Sequence, residues 1–266
     1  MKTVNGYLSS YGEIRREFLT QDSGNRSYIF TARGCDRWIK VLDLEQTPIR
    51  SPDDLVRFYN SLRSPLIPRN WQLVECSDGL VLECDAVSGE VLRSPDEDRT
   101  APGSAYRRFQ ALALAVRMRV FRKILALFTE IESIGVIMED FYDGCIIYDF
   151  GRDEVHVCDL DHLHFGPYAL SRDRQFGSRR FMAPEEFGVG STIDWRTNVY
   201  TMGATGFVLL ADGSRDTAAW PSAEALCAVL ERATSERPDD RYPNVRALRN
   251  AWQNATHCAR PPGARG

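Results

Sequence analysis

The chain has 266 residues, 43% of them hydrophobic and 26% charged, enough for one two-lobed domain or two small ones with a sizeable core. Its formal net charge of −4 excludes a global cationic field that would hold nucleic acid or an anionic membrane surface. The longest apolar runs, Ile124 to Phe128 and Phe207 to Ala211, fall far short of the roughly 20 residues that a membrane-spanning helix needs.

Of the 33 basic side chains only three are lysine: Lys2, Lys40 and Lys123. Codon bias accounts for the ratio but not for why these lysines remain. Seven cysteines, at 35, 76, 84, 145, 158, 227 and 258, are scattered without a CxxC pair. Their odd number and spacing suggest neither a disulfide framework nor a zinc ribbon, so reduced thiols are expected. Tyr7 to Glu13 is already mixed and polar, which reads against a secretory leader and makes the cytoplasm the expected compartment.

In chain order, residues 1 to about 86 read as strand-rich. Tyr28 to Ala32, Arg37 to Leu42, Trp71 to Val74 and Leu80 to Glu83 are short runs of β-branched and aromatic residues punctuated by Gly24, Gly34, Asp78-Gly79 and Gly89. Ser51-Pro52-Asp53-Asp54 reads as a helix start leading to Leu55, Phe58, Tyr59 and Leu62 at helical spacing. After residue 100 the period becomes helical: Phe109, Leu112, Val116, Val120, Ile124, Leu127, Phe128 and Ile131 predict one amphipathic helix of about 25 residues, with Lys123 on its Arg-rich polar face. Val199 to Ala211 is apolar all round and predicts a central buried helix. Two further helices are expected over about Ala223 to Ala233 and Val245 to Ala255, and residues 256–266 form a tail without a core face. The two halves are expected to meet near Ala86 to Gly89.

Behind the long helix, Val136-Ile137-Met138-Glu139-Asp140 places an acid on a loop before the apolar pair Ile146-Ile147. Asp159 lies sixteen residues after Asp143, where the alternating stretch Val155-His156-Val157-Cys158-Asp159-Leu160-Asp161 ends in acids. Carboxylates at the ends of adjacent short strands suit metal-assisted phosphoryl transfer, one orienting a hydroxyl and the other holding Mg2+. Asp at a strand end also serves as an ordinary turn or cap residue.

These residues resemble the protein-kinase family. Val136 to Asp140 resembles VIHRD, with Asp140 in the place of the catalytic Asp and Cys145-Ile146-Ile147 in that of Asn-Ile-Leu. Asp159-Leu160-Asp161 resembles DFG, and Phe176-Gly177-Ser178-Arg179-Arg180-Phe181-Met182-Ala183-Pro184-Glu185 resembles GTxxYMAPE, the most specific match. Thr197 to Gly203 resembles SDVWSLG and Glu236 to Tyr242 the closing PxxRY element, which implies a buried Glu185–Arg241 ion pair. Trp38-Ile39-Lys40-Val41-Leu42 resembles VAIKVL and Leu80 to Cys84 the LVMEY entry to the hinge. The ordered resemblance spans about residues 20 to 255.

The resemblance implies an α+β, bilobal fold over residues 1–255: a small β-rich N-lobe (about 1–86), a hinge (about 83–89) and a larger helical C-lobe (about 90–255). It implies a bacterial-type serine/threonine kinase using ATP and Mg2+ or Mn2+ on a protein substrate, with no nucleic acid or membrane partner. Lys40 would anchor the α and β phosphates, Asp140 orient the acceptor hydroxyl and Asp159 bind the metal. Glu83 and Asp85 would offer backbone groups to adenine. Gly24 and Ser27 would lie over the phosphates in the Asp22 to Ile29 segment, which occupies the place of the glycine-rich loop.

Several positions depart from the family. Gly24 alone keeps a loop glycine, Asp22 and Ser27 taking the other two places. Cys145 replaces the Asn that binds a second Mg2+, and since a thiol is a poor ligand for that hard ion, Asp143 or Asp161 is expected to supply oxygen instead. Tyr142 stands for the catalytic-loop Lys and Glu139 for its Arg, so no pocket for a phosphorylated loop is expected. No Glu lies between Glu45 and Glu75 to pair with Lys40, leaving Asp53 or Asp54 as shorter candidates. Asn198 replaces a central-helix Asp and can still accept a backbone hydrogen bond. The departures keep a pseudokinase binding module and a small-molecule phosphotransferase as alternatives. A zinc site from His156, Cys158, Asp159, Asp161, His162 and His164 is a rival use of the same segment.

Overall fold

The β-branched and aromatic runs become strands and the helical-period runs become helices in the computed structural model, which describes residues 1–19, 25–32, 34–42, 52–94, 98–220 and 224–258. The elements begin with α1 (Val4–Ser9), β1 (Glu13–Phe18), β2 (Arg26–Ala32), β3 (Cys35–Leu42), α2 (Pro52–Ser61), β4 (Gln72–Cys76), β5 (Gly79–Asp85) and β6 (Glu90–Val91). They continue with α3 (Ala105–Gln110), α4 (Leu114–Ser133), β7 (Val136–Met138), β8 (Ile146–Asp149), β9 (Glu154–Val157), β10 (Leu163–Phe165), β11 (Tyr168–Ala169) and β12 (Thr192–Ile193). The last are α5 (Trp195–Ala211), α6 (Glu224–Ala233) and α7 (Val245–Cys258).

The chain divides into two compact units, Met1–Arg99 with Ile146–Asp161, and Thr100–Cys145 with His162–Gly266. In the first, an antiparallel five-stranded sheet has the order β1-β2-β3-β5-β4. Tyr28, Phe30, Ile39, Val41, Cys76 and Val81 form a core that α1 covers through Val4, Tyr7 and Leu8. This helix, capped by the Thr3 side chain, carries only a short apolar pattern and was not expected. The first unit runs past the expected 86–89 boundary because β6 pairs with β8, Glu90 opposite Tyr148. The Val157 N–H also donates to the Leu66 carbonyl, at 2.8 Å.

The second unit is helical. The single long helix expected from Phe109 to Ile131 is broken, with α3 ending at Gln110 and α4 starting at Leu114. The break is stabilised by Arg117, which donates to the Leu112 carbonyl and to those of Leu209 and Leu210 at the end of α5. Helix α5 is buried along most of its length, as its all-round apolar sequence predicts, and α7 runs three residues beyond the expected Ala255. Residues 259–266 of the expected tail lie outside the described residues.

Close helix packing requires glycine at two α5 positions. A Cβ at Gly203 would lie 2.8 Å from Ala233 Cβ and 2.7 Å from Thr234 Cγ2, and one at Gly206 would strike Leu230. Gly203→Ala sets about 1 kcal/mol of helix propensity against an overpacking cost of about 1–3 kcal/mol. Because Ala233 Cβ is fixed to its backbone, the clash wins. A lower urea midpoint for Gly203→Ala is the expected outcome.

Candidate functional site

In the first unit, the inner half of β3 is buried and carries Lys40 opposite Ser27 of β2 and Leu82 of β5. Its side chain is 3% exposed, and Nζ lies 2.5 Å from Asp159 Oδ1 and 2.5 Å from Asp161 Oδ2. Asp159 adopts φ +58°, the left-handed region, so residues 159–161 turn tightly enough to bring both carboxylates to one ammonium while Leu160 is fully buried. Burial by itself would discharge Lys40, but the two carboxylates override it and hold the ammonium's pKa above its ordinary value.

Tyr59 of α2 completes this cluster. Its hydroxyl donates to Asp161 Oδ1 at 2.8 Å and accepts from the Leu160 N–H at 2.8 Å. Its ring stacks on Trp71 with centroids 3.7 Å apart and planes 7° apart. Burial first, then the neighbouring carboxylates, raises the phenol pKa well above its usual range and keeps it a donor. The sequence showed Tyr59 only as an apolar-period residue; its signal was that a buried tyrosine hydroxyl requires a partner. Asp53 and Asp54, the expected partners of Lys40, are exposed in the first turn of α2, and Asp54 pairs with Arg57 instead.

The remaining expected nucleotide contacts fare differently. Gly24 and Asp22 lie outside the described residues, while Ser27 is a buried residue within β2. Glu83 lies inside β5, in register with both Ile39 of β3 and Gln72 of β4. Its carboxylate accepts from Tyr7 at 2.6 Å and also meets Arg37 and Gln72. The Asp85 N–H donates to the Arg69 carbonyl at 2.9 Å. Adenine contact through the Asp85 N–H would have to displace this bond within the unit.

In the second unit, Asp140 follows β7. Asn198 of α5 accepts from the Met138 N–H at 3.0 Å and directs its amide N–H groups at Val136 O and Glu132 Oε1. The end of β7 is thereby fixed to the buried helix, as Asn198 was expected to allow. Gly177 has φ +126°, and a Cβ there would approach Asp140 Oδ1 to 3.3 Å. The glycine thus lets backbone lie against the acid, and Glu139, Asp140, Ser178, Glu186 and Thr201 line a small recess.

The expected supplementary metal donors, Asp143 and Asp161, have partners within their own units. Both oxygens of Asp143, which is fully buried, lie 2.8 Å from Arg180 Nη2. Asp161 has one oxygen on Lys40 and the other on Tyr59. The Cys145 thiol is buried and directed at the Asp140 carbonyl, 3.6 Å away. Asp159, with its side chain 46% exposed, is the oxygen donor whose surroundings suit a hard cation. Among the described residues, no group of three or more His, Cys, Asp or Glu is placed to hold a metal ion, so the zinc alternative has no ligand set.

The implied Glu185–Arg241 pair is present and bidentate, at 2.7 and 2.9 Å, with the arginine side chain fully buried. Arg241 also donates to the carbonyls of Arg196, Ser235 and Glu236. Glu185→Ala should therefore cost about 3–5 kcal/mol, more than the Glu185→Ala/Arg241→Met double variant, because it strands a buried cation. Urea unfolding of both variants checks this ordering.

Glu132 joins three helices: it belongs to α4 and accepts from Asn198 of α5 and from the Val245 N–H at the start of α7. Burial pushes its pKa from 4.5 up to about 7 against the pull of those hydrogen bonds. Between pH 4.5 and 7 the folded state then holds a proton that the unfolded chain has released, so stability falls as pH rises through that window. Glu132→Gln should flatten this part of the stability curve, measured as the pH dependence of the urea midpoint.

Comparison with solved structures gives the Mycobacterium tuberculosis PknI kinase domain, in two crystal structures. A double mutant matches with TM-score 0.61 at 16% identity, covering 93% of this chain and 96% of that one. A single mutant matches with TM-score 0.60 at 16% identity, covering 91% and 94%. No family model and no curated protein matches the sequence. The chain therefore has the protein-kinase fold, α+β with a β-rich N-terminal part and a helical C-terminal part.

Proposed function

We propose that this chain is a serine/threonine protein kinase that transfers the γ-phosphate of ATP to a protein hydroxyl. The observation that carries the reading is the Lys40 ammonium, buried in the sheet and held 2.5 Å from Asp159. A cation so placed beside a half-exposed carboxylate is the pair that phosphate and a divalent cation require. Lys40 would hold the α and β phosphates and Asp159 the Mg2+ or Mn2+. ATP with its metal would supply the transferable phosphoryl group.

Asp140, fixed through β7 and Asn198, orients the acceptor hydroxyl and takes its proton. Residues Ser178 to Glu185 shape the platform for the protein substrate. Adenine recognition is not assigned to Glu83 or Asp85, and the metal set is Asp159 without Asp143, Asp161 or Cys145.

A nucleotide-binding pseudokinase is the second reading. It is favoured by Cys145 facing backbone and by Tyr142, which packs against the Tyr106 and Phe181 cluster where a cationic residue would serve transfer. A phosphotransfer assay with generic protein substrates and Mg2+ or Mn2+ decides between them. Asp140→Asn is expected to lower the rate by about 10²–10⁴, the usual contribution of a positioned acid or base, and Asp159→Asn to abolish metal-dependent turnover. Lys40→Arg should impair ATP use, because the wider guanidinium fork fits a buried site shaped for an ammonium poorly, whereas Lys123→Arg should be silent. Turnover indifferent to Asp140→Asn and Asp159→Asn sinks the kinase assignment, and binding without turnover favours the second reading.

A further inference from the structure

Helix α2 brings no carboxylate to Lys40. Its acids, Asp53 and Asp54, occupy the exposed first turn, and the residue it directs into the Lys40 cluster is Tyr59, which is 1% exposed. The carboxylate comes instead from Asp161. Its Oδ2 lies 2.5 Å from Lys40 Nζ and its Oδ1 accepts from the Tyr59 hydroxyl at 2.8 Å. The Leu160 N–H donates to that same phenol oxygen, so the single phenol proton is directed at Asp161.

The tyrosine ring is itself fixed. It stacks on Trp71, whose indole N–H donates to Pro68 O at 2.8 Å and whose carbonyl accepts from Asn60 of α2 at 2.8 Å. The two acids on Lys40 differ in access, with Asp159 46% exposed and Asp161 2%. Asp159 can exchange Lys40 for a solvent-borne cation, whereas Asp161 is enclosed with both oxygens engaged.

We propose that Asp161, braced by the Tyr59 hydroxyl, is the residue that holds the Lys40 ammonium in position, so that α2 acts on Lys40 through a phenol rather than through an acid of its own. Asp161 and Tyr59 are positioning residues. On the proposed kinase reading Asp159, the more exposed of the two acids, would serve the metal.

Because the chain has three lysines, amine acylation with a succinimidyl ester, followed by peptide mass spectrometry, reads Lys40 directly, with Lys2 and Lys123 as internal references. In the wild type Lys40 should label slowest. Asp161→Asn should raise its rate on the order of tenfold, the scale of one charge-assisted hydrogen bond, and Tyr59→Phe, which keeps the ring stack, about threefold. Lys40 remaining protected in Asp161→Asn while Asp159→Asn releases it overturns the proposal. If Asp161→Asn does not fold, Tyr59→Phe decides, and an unchanged Lys40 rate overturns the brace.

A second measurement rests on the proposed kinase reading: affinity for a fluorescent ATP analogue with Mg2+ and with EDTA. Asp161→Asn should weaken both affinities by the same factor, whereas Asp159→Asn should remove only the Mg2+-dependent part. Loss of the Mg2+-dependent part alone in Asp161→Asn makes Asp161 a metal ligand and overturns the assignment. Should the wild type bind no nucleotide, the kinase reading fails while the labelling result still decides the role of Asp161.

Discussion

An ammonium group within a β-sheet is the constraint on which the first unit depends. Removing one charge from water carries a penalty of several kcal/mol even after relaxation, so Lys40 at 3% exposure can persist only beside compensating acids. Those acids must come from a segment short enough to place both on one atom. The left-handed Asp159 supplies that turn and buries Leu160 in the same step. The buried carboxylate of Asp161 then needs its second oxygen satisfied, which brings in Tyr59, and the Tyr59 ring needs a face to pack on, which brings in Trp71. Each residue answers a desolvation problem left by the one before.

The second unit solves a different problem, holding a loop acid by hydrogen bonds to a buried helix. Helix α5 is buried along most of its length and serves as its frame. Asn198 binds the end of β7, Thr197 donates to Glu185, and Glu185 receives the buried Arg241. The Arg241 guanidinium spends its remaining N–H groups on carbonyls of three residues, so loops before and after α5 are fastened to one cation. A buried pair of this kind is weak evidence for net stability, and what it contributes here is the bidentate contact that joins Glu185 to Arg241.

Much of this was legible in the residues because motif spacing encodes it. Lys40 on an alternating strand, Glu185 with Arg241 and the backbone hydrogen bond to Asn198 all lie where the sequence placed them. What escaped depends on side-chain direction, which spacing does not carry. Asp161 reads as a metal donor in the sequence, and its contact with Lys40 follows from the left-handed φ at Asp159, which spacing does not show. Cys145 reads as a weakened metal ligand until its thiol is found on the Asp140 carbonyl. The division between α3 and α4 escaped because the apolar period runs through it unchanged, and the Leu112 carbonyl there is taken by the side chain of Arg117.

The departures around Asp140 share one physical character. Where a lysine would stand, Tyr142 adds aromatic packing against Phe181; Asp143 is closed by Arg180; and the Cys145 thiol reaches the backbone. Tyr142 and Cys145 stand where the resemblance would put a lysine and an asparagine that meet a ligand, and both close local contacts in the same unit. These contacts hold the loop that carries Asp140 from within the second unit. On the proposed kinase reading, a loop held in this way would serve to orient an acceptor hydroxyl, an act that needs geometry more than charge. The cation absent at Tyr142 would, on the same kinase reading, leave the electrostatic demand to Lys40 and to a metal that Asp159 would hold. On that reading the enclosed Asp161–Tyr59 contact, which engages the carboxylate on Lys40, is where the first unit would meet that demand.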